Sequence, residues 1–255
     1  MKKVILISID GMRPDGYLKC GNPFAEELMK MGTYTMQGRT VFPSVTLPCH
    51  MSMFHSVPPE RHGIMSNVYT PMVRPINGLM EQLRIAGKTC GFFYGWERLR
   101  DIARPGSLKY AGFVHARTYE YSDRMLAEQA IEYVKKFSPD FVFLYMVETD
   151  EKGGHDYGWM SKEYFNRISI ALDNVKEVIK QCTEYTFIIV ADHGGHDRMH
   201  GTDMVEDMTI PVILIGEDFE PGKEITDVSI LDIAPTIAAL EEVEPAPEWE
   251  GKVLF

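Results

Sequence analysis

The chain is predicted to fold as an α/β protein, with a mostly parallel central sheet, helices on both faces and no large cap domain. Three observations carry that expectation. Strand-like and helix-like segments alternate along 255 residues, a length that can bury one large core. The strand-like segments are near-continuous apolar runs rather than in–out alternations, as strands covered on both faces require. Three of these runs stop abruptly at carboxylates, and in open parallel sheets the working residues sit at the carboxyl ends of strands.

Taken in order, Lys3–Ile9 reads as the first strand. Its start resembles a secretory leader, but the apolar run from Val4 to Ile9 is short and stops at Asp10-Gly11 without a small-residue cleavage site. Pro23–Met31 has apolar Phe24, Leu28 and Met31 at helical spacing. Pro75–Ala86 places Ile76, Leu79, Met80 and Leu83 on one face and ends at Gly87, a helix-stopping residue. Thr89–Tyr94 is the second strand-like run. Ser122–Phe137 opens with a capping Ser or Asp and stops before Pro139. Phe141–Val147 and Thr186–Ala191 are strands, separated by the helical pattern Ser161–Cys182. Ile210–Ile215 is a last strand and Asp232–Leu240 a last helix. The whole of residues 1–255 reads as one catalytic domain. Residues 95–120, the least periodic stretch, are a candidate lid or insertion.

The chemistry concentrates at strand ends. The run Phe187–Val190 leads into Asp192 and His193, then two glycines, His196 and His200. Phe141–Val147 leads into Glu148, Asp150 and, after two glycines, His155. Lys3–Ile9 leads into Asp10. One Asp after a strand is often a helix cap, but three such endings supply enough His nitrogen and carboxylate oxygen for two divalent cations with open positions. Thr46 precedes Leu47-Pro48 and a helical stretch, Cys49–His55. It is either an ordinary cap or a hydroxyl placed at a helix N-terminus, where anions are favoured.

The ordered set Asp10-Gly11, FPSVTLPCH, HGIMSN, TDEKGGHDYG and ADHGGHDRMHGT resembles the alkaline phosphatase superfamily. Within it the set is most similar to the type I phosphodiesterase/nucleotide pyrophosphatase branch. The closing SILDIAPTIAAL resembles the superfamily's last helix. The resemblance implies a metal-dependent hydrolase of phosphoric esters, namely phosphodiesters or nucleotide pyrophosphates. Thr46 would be the nucleophile that becomes phosphorylated, with Asp10, Asp192 and His193 around the cation that activates it. Asp150, His155 and His200 would hold a second cation, and Asn67 would donate to a non-bridging phosphoryl oxygen. Zinc suits the three imidazoles, with manganese an alternative at a carboxylate-rich site.

The pattern departs from the branch at three places. Cys49 stands where the branch has Asn. The spacing from Asp150 to His155 is one residue longer, so the extra residue would bulge, or Glu148 or Glu151 would contribute. His196 competes with His200. His50, His55 and His62 read as structural. Tyr69, Tyr157 and Trp159 read equally as stacking groups or as packing, and Arg13 and Arg198 are near ligands only in sequence.

Bulk properties fit a small-molecule phosphate ester as the partner. A net charge of −11 argues against nucleic acid polymers, while cations would still let an acidic protein bind an anionic substrate. No run approaches the about 18 apolar residues of a membrane span. Four scattered cysteines without a CxxC pair suit reduced thiols in a cytoplasmic protein. Rival readings are a phosphomonoesterase, a phosphonate hydrolase, a phosphomutase and a non-catalytic metal-binding relative. A sulfatase is disfavoured because no C/S-x-P-x-R sequence occurs, and dehydrogenase or P-loop nucleotide sites because their glycine motifs are missing.

Overall fold

The computed structural model describes residues 2–255. The seven strands are β1 (Lys3–Ile9), β2 (Thr33–Arg39), β3 (Cys90–Tyr94), β4 (Tyr110–Phe113), β5 (Phe141–Met146), β6 (Tyr185–Val190) and β7 (Thr209–Ile215). They form one sheet in the order β2-β7-β6-β1-β5-β3-β4. The pairings β1–β5, β1–β6, β3–β4 and β3–β5 are parallel, so the expected α/β architecture is the observed one.

Two strands were not visible in the sequence. β2 reads TYTMQGR, half polar and interrupted by Gly38, and its pairing with β7 shifts register between Thr35 and Gly38. A Cβ on Gly38 would lie 2.9 Å from the Ile210 carbonyl oxygen, so the close approach requires glycine. β4 is a four-residue edge strand inside the segment read as a lid or insertion. β7 runs antiparallel to β6 and β2. Its apolar run is like that of the parallel strands because it is equally covered, and composition does not encode direction.

Register delivers the strand ends to one place. Ser8 pairs with both Tyr145 and Val190, and Ile9 with Met146, so Asp10, the residues after β5 and the residues after β6 emerge side by side. Among the helices, Thr46–His55 is buried along its whole length. Phe54 meets Phe143 edge-on at 4.9 Å, and His50 meets Tyr145 edge-on at 5.0 Å, which fixes the helix against β5. Burying a phenylalanine ring such as Phe54 contributes about 1.5–3 kcal/mol.

The remaining helices follow their patterns with shifts at the ends. Ser122–Phe137 is as expected, but Ser122 and Asp123 do not cap it; their side chains bond to the segment after β5. Lys162–Gln181 starts one residue late because Ser161 is its cap, accepting from the Tyr164 amide. The helix expected from Pro75 begins only at Leu79. The Glu81 carboxylate accepts from the Gly78 amide at 2.8 Å and closes the end there, and His55 packs too close to Gly78 for any Cβ.

Candidate two-cation active site

Asp10, Asp192 and His193 offer ligand atoms that all lie within 4.8 Å of one another, and so do Asp150, His155 and His200. The structure therefore brings together all six of the proposed protein ligands, in the two groups expected. Asp10 follows β1. Asp192 and His193 follow β6 and are fully buried.

Asp150 sits in a π-helical turn, Thr149–Gly154, directly ahead of His155. That turn accommodates the extra residue of the Asp150–His155 spacing, since a π-turn carries one more residue than an α-turn. Neither neighbouring glutamate enters the site. Glu148 accepts from the Ser122 amide and hydroxyl, Lys152 and Arg167, and Glu151 is held by Arg117. His196 is turned away as well, with Nδ1 at 2.7 Å from Asp207.

The three histidines share one arrangement. Nδ1 of His193 donates to the Gly194 carbonyl at 2.8 Å, His155 to Arg198 at 3.0 Å and His200 to Ser44 at 2.9 Å. A carbonyl only accepts, so each Nδ1 carries a proton and each Nε2 presents a lone pair. His193 Nε2 lies 3.2 Å from Asp10 Oδ1 and 3.4 Å from Asp192 Oδ2, and His155 Nε2 lies 3.3 Å from Asp150 Oδ2. Backbone acceptors that fix the tautomer of metal-binding histidines are the usual supporting shell of such sites. Asp10 Oδ1, Asp150 Oδ1 and Asp192 Oδ2 are buried and accept no hydrogen bond. Orphaned carboxylate oxygens facing bare imidazole nitrogens are a donor set that fits divalent cations.

Electrostatics point the same way. Burial, and then the neighbouring carboxylates Asp192 and Asp150, push Asp10 well above the usual carboxylate range. Asp192 is pushed up to about 8 by burial and by Asp150. Burial also pushes His193 well below its ordinary value. Three carboxylates held this close need either protons or cations to be stable.

Thr46 is the first residue of its helix, not its cap; Val45 takes that place with extended backbone. Its hydroxyl donates to His193 Nε2 at 3.1 Å. Asn67 lies beside it, with Oδ1 accepting from the Leu47 amide at 3.0 Å, which leaves the Asn67 NH₂ group as a donor. The rings of His193 and His200 stack at 3.9 Å and 13°, so the two groups touch through the loop after β6.

Further residues surround the site, of which Tyr145 carries no signal in the sequence. Tyr145, inside an apolar strand, donates from its hydroxyl to Asp10 Oδ2. Trp159 is buried, packs on the rings of His155 and His200, and donates to the Gly11 carbonyl at 2.8 Å. Gly11 has φ +65°, and a Cβ there would come within 3.0 Å of Asp150 Oδ1. His50 donates to the Thr46 carbonyl and accepts from Ser8, a supporting position. Burial holds its pKa at about 4. His55 and His62 are tied to Met51 and Ser52. Cys49 is buried against Thr40, outside both groups. Arg13 pairs with Asp15 and donates to the Gly195 carbonyl. Tyr69 and Tyr157 are exposed. An open cleft of about 630 Å³, lined by Tyr157, Trp159, Arg198 and Met199 among others, borders His155. A larger groove of about 800 Å³ between helices Ser122–Phe137 and Lys162–Gln181 contains none of the site residues.

Comparisons with known proteins agree on the family. A model described as type I phosphodiesterase/nucleotide pyrophosphatase matches residues 4–84, and one described as metalloenzyme superfamily matches residues 110–245, more than half of the chain. Human ectonucleotide pyrophosphatase/phosphodiesterase family member 1 is 27% identical over 220 residues, covering 74% of this chain and 23% of that protein. The chain thus spans about a quarter of the length of the curated relatives it matches. Murine ectonucleotide pyrophosphatase/phosphodiesterase 5, solved in an inactive form with AMP, superposes with a TM-score of 0.84 at 17% identity, covering 99% of this chain and 98% of that one. A 2-O GAG sulfatase superposes with a TM-score of 0.78 at 15% identity, covering 99% of this chain and 73% of that one. At these identities the structural likeness shows the fold alone.

Proposed function

The chain belongs to the metalloenzyme superfamily, in its alkaline phosphatase-like, type I phosphodiesterase/nucleotide pyrophosphatase branch, and from that premise we propose that it hydrolyses phosphoric esters, preferentially phosphodiesters or nucleotide pyrophosphates, through a phospho-threonine at Thr46. The observation that carries the proposal is the pairing of three Nε2 lone pairs with three orphaned carboxylate oxygens beside the Thr46 hydroxyl.

Asp10, Asp192 and His193, with Thr46 beside them, would hold one divalent cation, zinc or manganese, and Asp150, His155 and His200 the other. Such cations supply Lewis-acid charge that favours an ionised hydroxyl or water and neutralises phosphoryl oxygens. The rest of the chemistry belongs to the chain. Thr46 Oγ attacks phosphorus, the bond to the leaving oxygen breaks, and a threonine phosphoester forms. Its position at the N-terminal end of the helix, where the macrodipole is positive, favours negative charge at Thr46. The Asn67 NH₂ group, oriented by the Leu47 amide, donates to a non-bridging oxygen whose charge grows in the transition state. Water then cleaves the Thr46–phosphorus bond and restores the hydroxyl. The AMP bound to the murine relative supports a nucleotide as part of the substrate.

The test is a Thr46→Ala protein assayed on matched aryl phosphate mono- and diesters with metal added. Turnover is expected to fall at least about a thousandfold, the scale of losing a nucleophile, with diesters the better substrates for the unaltered protein. Full turnover by the variant would remove Thr46 from its role, and a monoester preference would favour the phosphatase alternative.

A further inference from the structure

Residues 96–109 leave the sheet, Tyr110–Phe113 rejoin it as β4 and 114–120 lead on to helix Ser122–Phe137, and side chains of this segment grip both sides of the site. Arg98 donates from Nη1 to the Asn67 carbonyl, with its guanidinium 5.6 Å from the Trp96 ring centroid. Arg117 reaches the π-helical turn: Nε to Glu151 Oε2 at 2.5 Å, Nη2 to the Glu151 carbonyl at 2.8 Å, and Nη1 to both oxygens of Asp156 at 2.9 and 2.8 Å. Lys152, inside the same turn, answers by donating to the Tyr119 and Glu120 carbonyls at 2.6 and 2.7 Å.

The residues gripped are chain neighbours of those the site needs. Glu151 follows Asp150, and Asp156 follows His155. A lone surface ion pair contributes about 0–1 kcal/mol, but a guanidinium making four bonds, to Glu151 inside the turn and to Asp156 just beyond it, is the exception to that rule. A π-turn is rare, so an external clamp on its interior at Glu151 and just past its end at Asp156 has a physical task. On the other side, Asn67 has its side-chain oxygen on the Leu47 amide and its main-chain oxygen on Arg98. Both acceptors are occupied, and the NH₂ donor is left with one orientation.

We infer that residues 96–120 are a two-armed brace, in which Arg117 positions Asp150 and His155 and Arg98 positions the Asn67 donor. The inference rests on the functional reading above. Neither arginine is a catalytic residue; each acts through the residues it holds.

The experiment titrates chelator-stripped protein calorimetrically with Zn²⁺ alone and measures steady-state kinetics on an aryl phosphodiester. Arg117→Ala is expected to weaken one of two Zn²⁺ sites about tenfold, the usual effect of removing a supporting partner of metal ligands, and to spare the other. Arg117→Lys, whose single ammonium cannot span Glu151 and Asp156 together, is expected to recover only part of that affinity. Arg98→Ala is expected to leave both Zn²⁺ affinities unchanged and to lower kcat several-fold with little change in KM. In an Asn67→Ala background the Arg98 effect is expected to vanish, because the donor it orients is gone. A wild-type protein that binds two Zn²⁺ ions and turns over, matched by Arg117→Ala in both affinities or by an Arg98→Ala loss that persists without Asn67, overturns the brace alone. A wild-type protein that binds no Zn²⁺ overturns the functional reading and the brace with it.

Discussion

At the scale of single residues, the two most informative groups are one inside the site and one far from it. Asp192 is fully buried, bonded to the Gly11 and His193 amides, and faces two other carboxylates. The strand pattern made it legible, because a polar residue directly after a buried β-branched run needs a partner. Tyr145, which bonds Asp10, was not legible, because a tyrosine in a continuous apolar strand reads as core. Glu241, in the helix-terminal region after Ile233–Leu240, is buried with neither carboxylate oxygen hydrogen-bonded, and burial pushes it up to about 8, only partly opposed by Lys88 at 3.8 Å. A folded-state value raised above the unfolded one means that stability is fullest below the unfolded value, declines as pH rises from there toward 8, and levels off above it. In urea unfolding, Glu241→Gln is expected to flatten that decline, gaining about 2–3 kcal/mol on the wild type between pH 6 and pH 9. Parallel curves for the two proteins would contradict it.

At the scale of elements, the central strands and the long helices were legible, because periodicity reports burial and both are buried on the faces their patterns imply. β2 and β4 were not, since an edge strand needs little apolar content and its pairing is decided by neighbours distant in sequence. The π-helical turn was anticipated only as an extra residue between Asp150 and His155; the groups outside it that it contacts, Arg117 and the Tyr119 and Glu120 carbonyls, are distant in sequence. Two glycines near the site have a clear structural reason. A Cβ on Gly154 would lie 2.6 Å from the Trp159 ring and one on Gly195 would lie 2.2 Å from it. Gly195→Ala therefore forces Trp159 off the rings of His155 and His200. Calorimetric Zn²⁺ titration of this variant is expected to show one site weakened about tenfold and the other intact. Two unchanged sites would mean that Trp159 does not orient those histidines.

At the scale of the whole molecule, neither half of the chain contains the site. The stretch matching the phosphodiesterase model supplies Asp10, Thr46 and Asn67, and the stretch matching the metalloenzyme model supplies Asp150, His155, Asp192, His193 and His200. They meet because β1 lies between β5 and β6, an arrangement that alternating strands and helices allow but do not specify. A net charge of −11 on the chain, with three acidic groups crowded at the carboxyl ends of the central strands, would make bound cations a stabilising element of the fold as well as of the chemistry. The central claim is that these strand ends hold two divalent cations around Thr46. It is tested most directly by counting Zn²⁺ ions bound per chain in a calorimetric titration of the stripped wild-type protein. The account predicts about two. Fewer than one per chain, in folded protein, would contradict it.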